Sequence, residues 1–148
     1  MNDDDCAPPS HRGALPEGAA EVSIGGATLA MRAFGGSFFN EHGHVHFTEP
    51  ANSPFGPVSV MLRITSTDGA PLPSEVRAES VWVALERCIW TSLVDEQKRA
   101  GDTLEVITRE PGPLWDPRSE LAVVVALRDA VGRVAYLRDE HVRIDIVW

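Results

Sequence analysis

The chain has 148 residues, of which 43% are hydrophobic, and it carries 13 basic and 22 acidic side chains for a formal charge of −9. This length suits one domain with a well-buried core. The excess of acidic side chains repels anionic surfaces, so we expect no nucleic acid partner. No apolar stretch approaches the roughly 20 residues of a membrane-spanning helix, so we also expect no transmembrane segment.

The first 19 residues are rich in proline and glycine and poor in apolar side chains. This composition predicts a flexible leader over residues 1–19 and a single domain over residues 20–148. The acidic opening, followed by the stretch at 6–10, resembles the tether that remains when a secretion signal or lipoprotein leader is removed. We therefore favour an extracytoplasmic protein, secreted or lipid-anchored, over a cytoplasmic one.

Two cysteines, Cys6 in the leader and Cys88 in a predicted strand, are the disulfide candidates. In an oxidising compartment they would close a loop of about 80 residues. The alternative is a buried free thiol at Cys88 and an unstructured free thiol at Cys6. We favour this alternative, because two cysteines alone are weak evidence for a disulfide.

The N-terminal strand candidates are short and are punctuated by glycine pairs. Residues 22–24 and 27–34 flank a Gly-Gly pair at 25–26 that suits a tight hairpin turn. A second pair at 35–36 is predicted to end the second strand. Residues 44–48 are a further extended candidate, and the prolines that follow predict a surface loop.

Residues 58–65 alternate between apolar and polar side chains, which is the period of a strand with one buried face. Residues 67–70 then form a turn. Further on, residues 97–102 are predicted to be a polar connection and residues 103–109 a strand. A proline-rich loop at 111–117 follows. The four tryptophans are more typical of a core than of a ligand platform, and Trp115 in this loop is the one candidate for exposure.

Residues 75–94 mix strand-forming and helix-forming side chains. We interpret them as two strands, at 81–84 and 88–91, with a helix as the alternative. The paired strands would place Trp82 and Trp90 on the sheet as large core side chains.

The strongest local pattern is at the C-terminus, where residues 121–127 and 134–137 flank a turn that contains Asp129 and Gly132. Strand-forming side chains on both sides of such a turn predict a β-hairpin. The predicted core side chains are Val60, Leu62, Ile64, Trp82, Val123, Val125, Leu127, Tyr136, Ile144 and Ile146.

Eight or nine short strands separated by turn residues predict an all-β protein of two packed antiparallel sheets. The expected architecture is an immunoglobulin-like or fibronectin-like antiparallel β-sandwich. A jelly roll, including a cupin barrel, is the alternative.

The densest cluster of metal-binding side chains contains His42, His44, His46 and Glu49. On an extended strand the three histidines point to one face, where two imidazoles at i and i+2 can share one divalent transition metal. We favour a solvated strand edge or loop in which these histidines have no role, so we expect no cofactor. One bound divalent transition metal is the alternative.

The same cluster resembles the first motif of the cupin family, because Gly36, His42, His44, Glu49 and Gly56 follow one another at the family's spacing. The resemblance implies that His42, His44 and Glu49 are metal ligands, with His46 as a further candidate. A second cupin motif would supply the fourth ligand. It is absent, because the only later histidine, His141, lacks the preceding prolines and glycines.

No residue is predicted to be catalytic. Cys88 as a strand cysteine is typical of packing rather than of a nucleophile. The run at 3–5 lacks the spaced ligands of a calcium loop. No nucleophile elbow, phosphate loop or dinucleotide fingerprint occurs in the sequence.

Residues 58–148 resemble uncharacterised immunoglobulin-like sandwich domains of bacterial secreted proteins and lipoproteins. The segments that carry the resemblance are 81–83, 89–90, 112–115, 127–133 and 136–137. The resemblance implies a non-enzymatic extracytoplasmic module that binds an unknown protein or glycan partner or has a structural role. The alternative function is a metal-binding cupin-like protein or enzyme that uses His42, His44 and Glu49.

Overall fold

A computed structural model describes residues 6–38 and 56–147. These ranges contain nine strands and no helix, so the all-β prediction is confirmed for them. None of their segments is a helix long and apolar enough to span a bilayer. The strands are β1 His11–Arg12, β2 Glu21–Ile24, β3 Ala27–Phe38, β4 Val58–Ser66, β5 Arg77–Leu85, β6 Cys88–Ala100, β7 Thr103–Thr108, β8 Glu120–Arg128 and β9 Val134–Val147.

Seven of these strands close into a barrel in the order β6, β5, β8, β9, β3, β4, β7 and back to β6. Neighbours in the ring are antiparallel except β3 and β9, which are parallel. Two short strands lie outside this ring: β1 pairs with β6, and β2 pairs with β3. The barrel wall divides into a front sheet, which contains β5 and β8, and a back sheet, which contains β3, β4 and β7.

The long strands β6 and β9 belong to both sheets, because an irregularity bends each of them partway along. In β6 the pairing register shifts between Val94 and Glu96. In β9 the register shifts opposite the residues from Leu121 to Val123 of β8, because β9 has an extra residue there. His141 lies in this bulge, and its φ is 64°. Such bulges increase the local twist and redirect a strand, and here they let β9 leave the front sheet and join the back sheet.

Two sequence-based boundaries are wrong. The glycine pair at 35–36 does not end a strand, because β3 continues to Phe38. A side chain at Gly35 would lie 3.0 Å from the carbonyl oxygen of Arg143, so glycine permits the close approach of β9. The polar connection at 97–102 is also wrong for most of its length. β6 continues to Ala100 and turns into β7 through Gly101, whose φ is 67°.

The other segment predictions are confirmed in the described residues. Residues 75–94 form parts of β5 and β6 rather than a helix, and Glu86 in the turn between them has a φ of 57°. Both glycines at 25–26 have positive φ, as a tight hairpin turn requires. The C-terminal hairpin forms, and the carboxylate of Asp129 accepts hydrogen bonds from the backbone N–H groups of Val131 and Arg133 in its turn.

The barrel interior holds the core, and most of the predicted core side chains lie in it. Those that are buried are Val60, Leu62, Ile64, Val123, Val125, Leu127 and Ile144. The side chain of Ile146 lies outside the described part of the structure.

Trp82 and Tyr136 are the exceptions, because both are half-buried on the outer face of the front sheet. Val81 and Val83 point inward and are fully buried, so strand alternation turns Trp82 outward. Trp90, which was also predicted as a core side chain, is buried.

Trp115, the candidate for exposure, is instead buried as a core tryptophan is, since only 4% of its surface is accessible. The loop that carries it packs closely on the barrel. The backbone N–H of Gly112 donates to the carbonyl of Val58, and a side chain at Gly112 would lie 2.5 Å from that oxygen. The loop therefore covers one end of the core.

Candidate functional site

The histidine cluster predicted to bind a metal lies outside the described residues. His42, His44, His46 and Glu49 all fall in the segment 39–55, so the metal site stays a prediction. Within residues 6–38 and 56–147, no group of three or more histidine, cysteine, aspartate or glutamate side chains is arranged to hold a metal ion.

Cys6 and Cys88 form a disulfide, with their Cα atoms 5.3 Å apart and a separation of 82 positions in sequence. The alternative of two free thiols is therefore wrong, and Cys88 is not available as a nucleophile. The pairing of Arg12 with Cys88 through β1 brings the N-terminal segment beside β6. Because disulfides persist in oxidising compartments, the bond indicates an extracytoplasmic environment.

After the disulfide and β1, residues 13–19 cross the front sheet, and we term them the strap. At one side the backbone N–H of Gly13 donates to the carbonyl of Arg87, at 3.0 Å, in the turn before β6. At the other side Ala19 forms a parallel bridge with Leu137 in β9. Since β5 and β8 lie between β6 and β9, the strap spans the width of the sheet. Part of the predicted leader thus contacts the domain.

A cleft of about 560 Å³ lies between the strap and the front sheet, and we term it the strap cleft. Ala84 and Ala122, which face each other in register on β5 and β8, line it together with Leu15 of the strap. Their short side chains leave the space that larger ones would fill. The volume is in the range of small-ligand sites.

Charged side chains line the strap cleft in pairs. Nδ1 of His141 lies 2.8 Å from Oε1 of Glu120, and Nε of Arg138 donates to Oε2 of Glu140 at 2.9 Å. The hydrogen bond and charge of Glu120 raise the pKa of His141, with smaller contributions from other nearby carboxylates. His141 therefore stays protonated to a higher pH than a free imidazole, and the pair is ionic over more of the pH range.

The two non-glycine residues with positive φ in the described chain, Glu86 and His141, both line the strap cleft. This conformation costs about 1–2 kcal/mol for an L-residue. Residues held in such conformations cluster at functional sites, where the surrounding structure fixes them. Glu86 lies in the β5–β6 turn and His141 in the β9 bulge, so both residues with positive φ lie at the same end of the barrel.

An aromatic pair lies on the outer face of the front sheet, beside the strap cleft. The ring centroids of Trp82 and Tyr136 are 5.9 Å apart, and the ring planes are inclined at 58°. The rings come from the two strands that flank β8, and outward-facing Val124 between those strands is fully buried. Trp82 and Tyr136 lie two residues before the cleft residues Ala84 and Arg138, so the aromatic surface continues the cleft along the sheet.

No protein-family model, curated protein or solved structure matches this chain.

Sequence reasoning missed the residues of the strap cleft. Glu120 and His141 are 21 residues apart, on the two arms of a hairpin that was predicted without its bulge. The strap was predicted to be a flexible leader, so no partner was assigned to it. The one usable signal was the two-cysteine pattern, since a disulfide brings the N-terminal segment to β6.

Proposed function

We propose that this protein is a non-enzymatic extracytoplasmic module of immunoglobulin-like fold that binds its ligand in the strap cleft. The disulfide supports an extracytoplasmic protein, because such bonds persist in oxidising compartments.

The order of strand pairing supports the immunoglobulin-like assignment. The back sheet runs β3, β4, β7, β6 and the front sheet runs β6, β5, β8, β9. If β3 is taken as strand A, this order is consistent with the ABED and CFG arrangement of immunoglobulin domains, with β6 as a strand shared by both sheets. The disulfide differs from the usual one, because it joins the N-terminal segment to β6 rather than the two sheets.

The main support for a binding function is the balance of positive and negative side chains in the strap cleft. Glu120 pairs with His141 and Glu140 with Arg138, while Glu86 and Arg87 lie together in one turn. With His141 protonated, the three acidic and three basic side chains cancel. A cleft of polar groups without net charge suits an uncharged polar ligand.

The aromatic pair narrows the ligand class to a neutral oligosaccharide. Trp82 and Tyr136 present half-buried aromatic surface beside hydrogen-bonding side chains. Sugar rings combine an apolar face with many hydroxyl groups, so they match this combination of surfaces.

The test is a titration of the ¹⁵N-labelled protein with a panel of neutral chito-, malto- and xylo-oligosaccharides, followed by NMR. We expect saturable shifts at the amides of Ala84, Ala122 and Arg138. The variant Ala122→Leu enlarges a side chain that lines the cleft and should abolish binding. Ala30→Leu makes the same change on β3, away from the cleft, and should bind as the wild type does.

Binding that persists in Ala122→Leu, or that shifts only residues remote from the cleft, would contradict the proposal. A folded Ala122→Leu protein, checked by its melting temperature, keeps the comparison interpretable. The alternative, a metal-binding cupin-like protein or enzyme, depends on His42, His44 and Glu49 and has its own test in the Discussion.

A further inference from the structure

A second cleft, of about 720 Å³, lies at the end of β5 and β8 opposite the strap. We term it the arginine cleft, because Arg77, Arg99 and Arg128 line it. Its other lining residues are Ser74, Glu75, Gln97, Asp129 and Ala130. Three of the 13 basic side chains of an acidic chain therefore surround one depression.

The strand register places Arg77 directly opposite Arg128 on neighbouring antiparallel strands. Like charges in this position destabilise a sheet unless something neutralises them. A register shift between Ala78 and Ser80 adds Glu79, whose Oε2 accepts a hydrogen bond of 2.6 Å from Nε of Arg128. Arg128 is thereby neutralised, whereas none of the described side chains pairs with Arg77.

The walls of the arginine cleft are held by hydrogen bonds to the backbone. The side-chain amide of Gln97 accepts from the N–H of Ala78 and donates to its carbonyl, both at 3.0 Å. The guanidinium of Arg99 donates to the carbonyl oxygens of Pro73 and Val76. These contacts tie β6 to β5 and to the loop before it, so the cleft is preorganised around Arg77.

The acidic side chains of the cleft bond to neighbouring groups, and neither of these described residues forms an ion pair with Arg77. Glu75 accepts a hydrogen bond from the hydroxyl of Ser74, and Asp129 accepts from two backbone N–H groups of its own turn. Among the three arginines of the cleft, Arg99 bonds to backbone carbonyls and Arg128 to Glu79, whereas the guanidinium of Arg77 has no partner among the described residues. Its planar fork of donors matches a carboxylate, which also carries one charge.

We propose that the arginine cleft binds a carboxylate group of a ligand, with Arg77 as its direct ion-pair partner. The inference is independent of the strap cleft, which lies at the other end of the same strands. Arg128 and Arg99 flank the bound group and are fixed by Glu79 and by the backbone. Glu75 opposes binding through its like charge.

The full chain, labelled with ¹⁵N, is titrated with acetate while the Nε–Hε signals of the arginines are followed by NMR. We expect a saturable shift of the Arg77 signal, with acetamide, the neutral analogue, giving none. Arg77→Gln should weaken acetate binding about tenfold, the equivalent of one lost charge-assisted pair. Arg109→Gln removes the same charge from an exposed arginine outside the cleft and should change it less than about twofold.

Glu75→Gln should tighten acetate binding, because it removes the negative charge that opposes a bound carboxylate. Glucuronate and N-acetylglycine, as a sugar acid and a peptide-like acid, distinguish the two sources of the carboxylate. Tighter binding of either than of acetate supports the proposal and identifies the source. Equal losses in Arg77→Gln and Arg109→Gln, equal binding of acetamide, or a preference for inorganic phosphate would overturn it.

Discussion

Replacing Cys6 with serine should lower the free energy of unfolding by about 4 kcal/mol. The disulfide closes a loop of 82 residues, and a cross-link of that span removes a large share of the chain entropy of the unfolded state. In the folded state it also holds the segment that precedes the strap beside β6. The loss should therefore be accompanied by weaker protection of the Ala19 and Arg138 amides, which bridge the strap to β9.

Urea denaturation of the wild type, Cys6→Ser and the Cys6→Ser, Cys88→Ser double variant measures the effect. The double variant should be about as stable as Cys6→Ser, because the cross-link is already lost in the single variant. Cys6 lies in the N-terminal segment, so its replacement disturbs less packing than that of Cys88, which packs against the core. A wild type and a Cys6→Ser variant of equal stability would show that the bond does not constrain the chain.

Leu127→Ala should destabilise the protein by about 2–5 kcal/mol, because it leaves a cavity in the barrel core. Leu127 is fully buried in β8 and opposes Ala78 and Ala135 on the neighbouring strands. Leu93→Ala is the matched control, since Leu93 is 51% exposed on β6 and its truncation should change stability by about 0.5 kcal/mol or less. Equal urea midpoints for the two variants would mean that the inward face of β8 is wrongly assigned.

The parts of the fold that could be predicted from sequence are those encoded within a few residues. In β4 the side chains at alternate positions from Val58 to Ile64 are all buried, as the period of two predicts. The C-terminal hairpin followed from strand propensity on both sides of a turn that Asp129 and Gly132 stabilise. Such signals do not depend on which strands lie beside them.

The errors arose where a distant strand decides the local structure. Gly35 is a position of close approach to β9, which follows it by more than a hundred residues. Trp82 was assigned to the core by its size, whereas its place between Val81 and Val83 turns it outward. Trp115 lies in a proline-rich loop that packs closely on β4 at Gly112, a contact that the local sequence does not show.

The candidate site could be predicted less well than the fold, for the same reason. The strap cleft depends on the disulfide, on the path of the strap and on the β9 bulge, none of which has a local sequence pattern. The histidine cluster does have one, at His42 and His44, and sequence reasoning therefore selected it. A pattern of metal-binding residues is visible in sequence, whereas a cleft between a strap and a sheet is not.

The measurement that most directly tests a non-enzymatic binding module is elemental analysis of the protein purified without an affinity tag. We expect iron, copper and zinc far below one atom per chain, because the sequence spacing predicts that only two neighbouring imidazoles share one metal, and a tight site needs three or more preorganised ligands. Near-stoichiometric metal that disappears in a His42→Ala, His44→Ala double variant would contradict the account and favour the metal-dependent alternative.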